Sequence, residues 1–221
     1  MSTRLTELAN KHGTDKGTTF NIKHGYTETY PTYLPEKCNK MLEIGIRFGP
    51  SARMWVEYYP EIDVFYGIDY CQEMSLDTLR SIQNENKKFK FFVADQSNRE
   101  HLDLIVNVIG KNQLDLILDD GSHCVDHQQI SLAKLFQTIK SGGVYMIEDL
   151  ADQYYPQGGW NIKDLVSFTD VTVNVLDNFI KTGRFNSPYL TKEESEYLES
   201  TIDKIVLELR KDNNLAFIYK K

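Results

Sequence analysis

Residues 40–49 read KMLEIGIRFG, and this stretch decides the fold. An apolar, strand-like run covers 40–46. Gly45 and Gly49 then turn the chain toward Ser51, where a helix is expected to start. Glycine lets such a loop turn tightly and lets a ligand approach the backbone. The pattern is an acid, Glu43, followed by G-x-x-x-G, not the G-x-G-x-x-G of a dinucleotide fold. A pyrophosphate would seek the helix N-terminus, and Glu43 would repel it. A ligand with a cationic or neutral polar end suits this loop better.

Similar apolar runs recur at 64–69, 89–95, 114–119 and 143–148. Between them lie longer stretches with helical spacing, such as 125–140, expected to stop at Ser141-Gly142-Gly143. Strands alternating with helices mean βαβ units and a parallel sheet, with right-handed crossovers placing helices on both faces. Residues 2–12 predict a short helix with Leu5 and Leu8 on one face, and 161–182 a long one, followed by a loop at 183–188. IDKIVLELR and LAFIYKK, around an Asp-Asn-Asn turn, read as a terminal antiparallel hairpin. The expected architecture is a Rossmann-like, doubly wound α/β fold. Its seven-stranded sheet has five parallel strands plus the C-terminal hairpin.

The composition bounds the function. Of 221 residues, 41% are hydrophobic and 26% charged, and 13 Tyr with 11 Phe exclude disorder as the main state. The 25 basic residues against 32 acidic ones give a net charge of −7, which argues against nucleic acid as a partner. Cys38, Cys71 and Cys124 form no CxxC pair and no disulfide framework, so a reducing, cytoplasmic setting is expected. The N-terminus has no signal-peptide core, and no run approaches the ~18 apolar residues of a membrane span. No membrane partner is expected.

Each parallel strand ends on an acid: Glu43, Asp69, Asp95 beside Gln96, Asp119-Asp120, and Glu148-Asp149. In an open α/β sheet the ligand crevice lies outside these carboxyl ends. Any one strand-end acid can simply cap the next helix. Five strands ending alike argue for a ligand. Asp69 is placed to grip ribose hydroxyls, and Asp95-Gln96 to read an adenine edge.

The acid–glycine loop, the acids closing strands two and three, and the terminal hairpin resemble the class I S-adenosylmethionine-dependent methyltransferases over nearly the whole chain. Residues 118–123 (LDDGSH) with His127, 142–150 (GGVYMIEDL), 12–17 (HGTDKG) and 24–26 (HGY) are similar to the macrocin O-methyltransferase family, which acts on sugars and macrolide glycosides. This resemblance implies S-adenosylmethionine and Mg²⁺ as cofactors. It makes Asp120, Glu148 and Asp149 the metal carriers and His123 the general base, with a sugar diol as acceptor. Glu43, Gly45, Gly49, Ser51, Asp69, Asp95, Gln96 and Asp119 would line the cofactor pocket. Lys16 would pair with the cofactor's methionine carboxylate and Tyr26 would lie over it. The chain then divides into a cofactor-covering segment (1–36), a core (37–150), an acceptor lid with helices (151–200) and the hairpin (201–221), all in one domain. Some family members carry an additional N-terminal domain, which 221 residues are too few to hold. A homo-oligomer is compatible with all of this.

The chemistry suits these residue types. A sugar hydroxyl is a poor nucleophile at neutral pH. Coordination to a divalent cation acidifies it, and a nearby base removes the proton. Three crowded acids without a cation would repel one another and partly protonate, and oxygen-only ligands suit Mg²⁺. His123 is a workable base, because histidine is the side chain that changes charge near neutral pH. His127 stands at i+4 from it, but the Glu of a zinc-binding H-E-x-x-H is missing, so His127 reads as a packed residue. The aromatic loop 151–160, ADQYYPQGGW, reads as an acceptor lid. A catechol-type O-methyltransferase, an NAD-dependent oxidoreductase and a non-catalytic module on the same fold are the competing readings.

Overall fold

The computed structural model describes residues 2–20, 23–70, 80–83, 88–150, 167–210 and 214–221. Seven strands form one sheet: β1 (Lys40–Ile44), β2 (Val64–Asp69), β3 (Phe89–Val93), β4 (Leu114–Asp119), β5 (Ile139–Leu150), β6 (Ile202–Glu208) and β7 (Asn214–Lys220). Their order is β3-β2-β1-β4-β5-β7-β6. The first five are parallel, and β7 runs antiparallel to both β5 and β6. The order reverses at β1, so the crevice between the carboxyl ends of β1 and β4 is the expected ligand position.

Strand alternation divides the core in two. Met41, Phe65, Leu116, Leu118, Met146 and Phe217 face one way. They pack on α1 (Arg4–His12) and α2 (Pro50–Tyr58), with Trp55 fully buried among them. Leu42, Ile44, Ile68, Ile117, Tyr145 and Ile147 face the other way. Their cover is α3 (Arg99–Ile109), α4 (Val125–Leu135), α5 (Thr172–Thr182) and α6 (Lys192–Thr201). Each fully buried Leu or Ile contributes about 1.5–3 kcal/mol. The same alternation aims the strand-end acids: Glu43 and Glu148 follow the α1/α2 face, and Asp119 the opposite one.

Three expectations change. The helix at 125–140 ends at Leu135. A 3-10 turn (Phe136–Thr138) follows, and Ser141-Gly142-Gly143 lies inside β5, not at a helix cap. Gly142 takes φ +75, and the β4–β5 register shifts nearby. A glycine there makes a bulge, which in sequence looks the same as a helix stop. The long helix at 161–182 begins only at Thr172. A 3-10 turn at Phe168–Asp170 precedes it, and 161–166 lie outside the described residues. Strands one and three end at Ile44 and Val93, shorter than expected. Helix α6 starts with a capping box, in which Thr191 and Glu194 each accept from the other's backbone N–H.

Candidate active site

The glycine loop leaves β1 at Gly45, whose φ is +88. A Cβ there would stand 2.0 Å from the Asp120 carbonyl oxygen, so only glycine fits. Gly49, also left-handed, precedes Pro50 at the start of α2. Asp69, partly exposed, accepts the Arg47 N–H at 2.7 Å and so holds the loop from β2. Ser51 is buried in the first turn of α2.

Glu43 is fully buried, and neither carboxyl oxygen has a hydrogen-bond partner in good geometry; nor has the Trp55 indole N–H. Burial pushes its pKa up to about 8, against the pull of Lys16 and Ser51.

Asp119 is turned into the core. It accepts from Ser131 Oγ (2.6 Å), Tyr145 OH (3.0 Å), Gln96 Nε2 (3.1 Å) and the Gly121 N–H (3.4 Å). Burial still raises its pKa. Side-chain alternation along β4 turns Asp119, expected at the cofactor pocket, inward and leaves Asp120 at the crevice. Gln96 is spent internally too. Its amide nitrogen serves Asp119, and its oxygen accepts the Ser122 N–H at 2.7 Å. Asp95 is partly exposed and accepts from the Ser97 N–H and hydroxyl at 2.8 and 2.6 Å. These bonds outweigh burial and lower its pKa.

Asp120, His123 and Asp149 come together at the ends of β4 and β5, one donor atom from each lying within 4.8 Å of the others. His123 Nε2 is 3.9 Å from Asp120 Oδ1 and 3.7 Å from Asp149 Oδ2. His123 and Asp149 both adopt positive φ, +59 and +51. Non-glycine residues rarely take this conformation, and it clusters where geometry serves function. His127 stands off, with Nδ1 2.7 Å from Ser122 Oγ.

The N-terminal segment closes the other side. Lys16, 1% exposed, donates to Asp120 Oδ2 and, at 2.7 Å, to Glu148 Oε2. Tyr26 OH donates to Asp149 and Tyr30 OH to Glu148. The Lys16 ammonium, expected to pair with a cofactor carboxylate, here donates to two carboxylates of the chain. The Tyr26 ring is buried and stacks on His24 and Tyr30. Tyr30, Ser131 and Tyr145 were not anticipated. Only the Tyr spacing of 26 and 30 hinted that two hydroxyls share one direction. The expected lid at 151–160 lies outside the described residues.

No family model matches the chain. The solved structure of MycE methyltransferase from the mycinamycin pathway, in complex with Mg, SAH and mycinamycin VI, superposes with a TM-score of 0.69 at 24% identity. It covers 99% of this chain and 55% of that one. The fold is thus the methyltransferase fold. Among curated proteins, mycinamicin VI 2''-O-methyltransferase of Micromonospora griseorubida is 32% identical over 70% of this chain and 38% of its own length. A rhamnosyl tetracenomycin-C 2'-O-methyltransferase of Streptomyces olivaceus is 28% identical over 98% of this chain and 54% of its own. These relatives support the macrocin O-methyltransferase-like family for this chain, which spans about half or less of their length. No helix among the described residues is long and apolar enough to cross a membrane.

Proposed function

We propose that the chain is an S-adenosylmethionine-dependent O-methyltransferase that works with Mg²⁺ on a hydroxyl of a sugar or glycosylated small molecule. The grouping of Asp120, His123 and Asp149 at the crevice carries this reading. The carboxylates of Asp120, Glu148 and Asp149 would hold a hard divalent cation that keeps open positions, with the His123 imidazole beside them as the base. Glu43, buried beside the glycine loop, would ionise against a cofactor's cationic end, which offsets the burial that otherwise raises its pKa.

When bound, a divalent cation acidifies a coordinated hydroxyl, and S-adenosylmethionine supplies the methyl group. The rest falls to the chain. Asp120 and Asp149 hold the acceptor oxygen's surroundings in place, a positioning contribution to in-line transfer. His123 Nε2 faces both acids and takes the hydroxyl proton. Asp149, 3.7 Å away, then offsets the charge gained by the ring. The Asp69-pinned loop presents the backbone to the cofactor. The two described cysteines are free, which supports a reducing, cytoplasmic setting.

The test is methyl transfer from labelled S-adenosylmethionine to a panel of glycosides and catechols, with EDTA and added Mg²⁺. Transfer to a glycoside, lost in EDTA and restored by Mg²⁺, is expected. Full activity in EDTA removes the metal, and transfer to catechols alone changes the acceptor class. Binding of NAD without S-adenosylmethionine overturns the reading.

A further inference from the structure

The end of β5 does not run as a plain strand. Ile147 pairs with Ala216 and Leu150 with Asn214, so the register with β7 slips by one residue. Glu148 and Asp149 together stand opposite Leu215. This is a β-bulge, with Asp149 in the left-handed conformation at φ +51. In an unbroken strand Asp149 would share the face of Ile147, and Leu150 would take the other. Here Ile147 and Leu150 belong to the same side of the core. The extra residue releases Asp149 from the alternation. Glu148 bonds Lys16 and Tyr30, and Asp149 bonds Tyr26, so two consecutive acids reach the same N-terminal segment.

One buried side chain of α4 meets this bulge. Gln128, 1% exposed, donates from Nε2 to the Glu148 main-chain carbonyl at 3.3 Å. Its Oε1 is buried with no hydrogen-bond partner among the described residues. The neighbouring Gln129 spends both ends: Nε2 donates to the Asp170 carbonyl at 2.8 Å, and Oε1 accepts from Ser187 Oγ at 2.5 Å. A buried acceptor without a partner is unfavourable, so an unbranched apolar residue would serve packing at 128 at least as well. What the amide adds is its single bond to the bulge.

We propose that the bulge is the device that turns Glu148 and Asp149 toward one cation position, and that Gln128 is the positioning residue that holds it. The cation rests on the metal-dependent reading above; the bulge does not. Gln128 acts through the backbone. The Glu148 carbonyl belongs to the peptide that joins the two acids, and fixing that peptide fixes how their side chains diverge. Groups that orient metal ligands in this way govern the affinity of the site.

The experiment compares the parent with Gln128→Met, which fills similar space without an N–H. Amide hydrogen exchange is followed in the ion-free proteins, and free Mn²⁺ is measured by electron paramagnetic resonance during titration. Exchange at 147–150 is expected to quicken roughly five- to tenfold, with β2 unchanged, as one hydrogen bond is lost locally. Mn²⁺ is expected to bind on the order of tenfold more weakly. A side chain that only packs would quicken exchange throughout and leave the Kd at the parent's value. Exchange at 147–150 that is unchanged, or quickened equally in β2, overturns the role of Gln128. Local quickening with an unchanged Kd overturns the positioning of the acids by the bulge. If Gln128→Met does not fold, Gln128→Asn, whose amide stops one methylene short, is judged by the same two readings. A parent that does not bind Mn²⁺ overturns the metal-dependent reading itself, and the ion-free exchange still decides whether Gln128 holds the bulge.

Discussion

Gly45 and Asp120 stand back to back: a Cβ on Gly45 would lie 2.0 Å from the Asp120 carbonyl oxygen. The turn after β1 and the turn after β4 are therefore one packed unit, stitched by the Asp120 N–H donating to the Ile44 carbonyl at 3.0 Å. The loop expected to meet the cofactor and the acid expected to meet the cation cannot move independently.

Gly45→Ala follows directly. The alanine must hold a left-handed backbone at a cost of roughly 1–2 kcal/mol, and it must push the Asp120 backbone away. The expected outcome is a lower Tm together with loss of both S-adenosylmethionine and Mn²⁺ binding, measured by calorimetry. Loss of one ligand with the other intact would separate the two turns.

His123→Asn removes the imidazole but keeps a residue that tolerates positive φ. Turnover is expected to fall by ~10²–10⁴ while S-adenosylmethionine affinity stays near the parent's. Unchanged turnover would assign the proton transfer elsewhere.

Gln96→Leu breaks the link between Asp119 and the Ser122 N–H. A buried carboxylate losing one of its donors costs about 1–3 kcal/mol, which for a domain of this size is several degrees of Tm. Turnover should fall further than the stability loss alone explains, because Ser122 leads straight into His123. Thermal melts paired with kcat at a temperature where both proteins are folded check this.

Glu43 gives a pH signature. Its folded pKa, pushed up to about 8, lies above that of the unfolded chain, near ~4.5. The native state therefore keeps a proton that the unfolded chain gives up. Stability from this group is full below ~4.5 and is lost as pH rises to about 8, at no more than about 1.4 kcal/mol per pH unit. Glu43→Gln removes the titration, so its Tm should fall less than the parent's between pH 5 and 8. Parallel Tm–pH curves would show that Glu43 is already ionised.

Much of this architecture was legible in the sequence. Apolar runs at 64–69 and 114–119 coincide with β2 and β4, because buried parallel strands have no polar face to blur the signal. The convergence of strand-end acids at one edge was legible for the same reason. What each acid touches was not. Asp119 and Asp120 look alike as neighbours, yet alternation points one into the core and the other to the crevice. Lys16 reaches Asp120 and Glu148 across more than a hundred residues, and no local pattern encodes such a pairing. Thr191-x-x-Glu194 was a readable start signal for α6. Gly142 misled, because a bulge and a helix stop use the same residue.

The rings of Tyr26, Tyr30, Trp55 and Tyr59 stack in succession, with centroids 6.0, 5.9 and 6.1 Å apart, and the first two carry their hydroxyls to Asp149 and Glu148. Any change in charge at those acids is felt by rings in contact with the Trp55 indole. The protein thereby contains its own optical reporter. In a chain whose other tryptophan, Trp160, is replaced by Phe, the emission of Trp55 would register the filling of the crevice without any added dye.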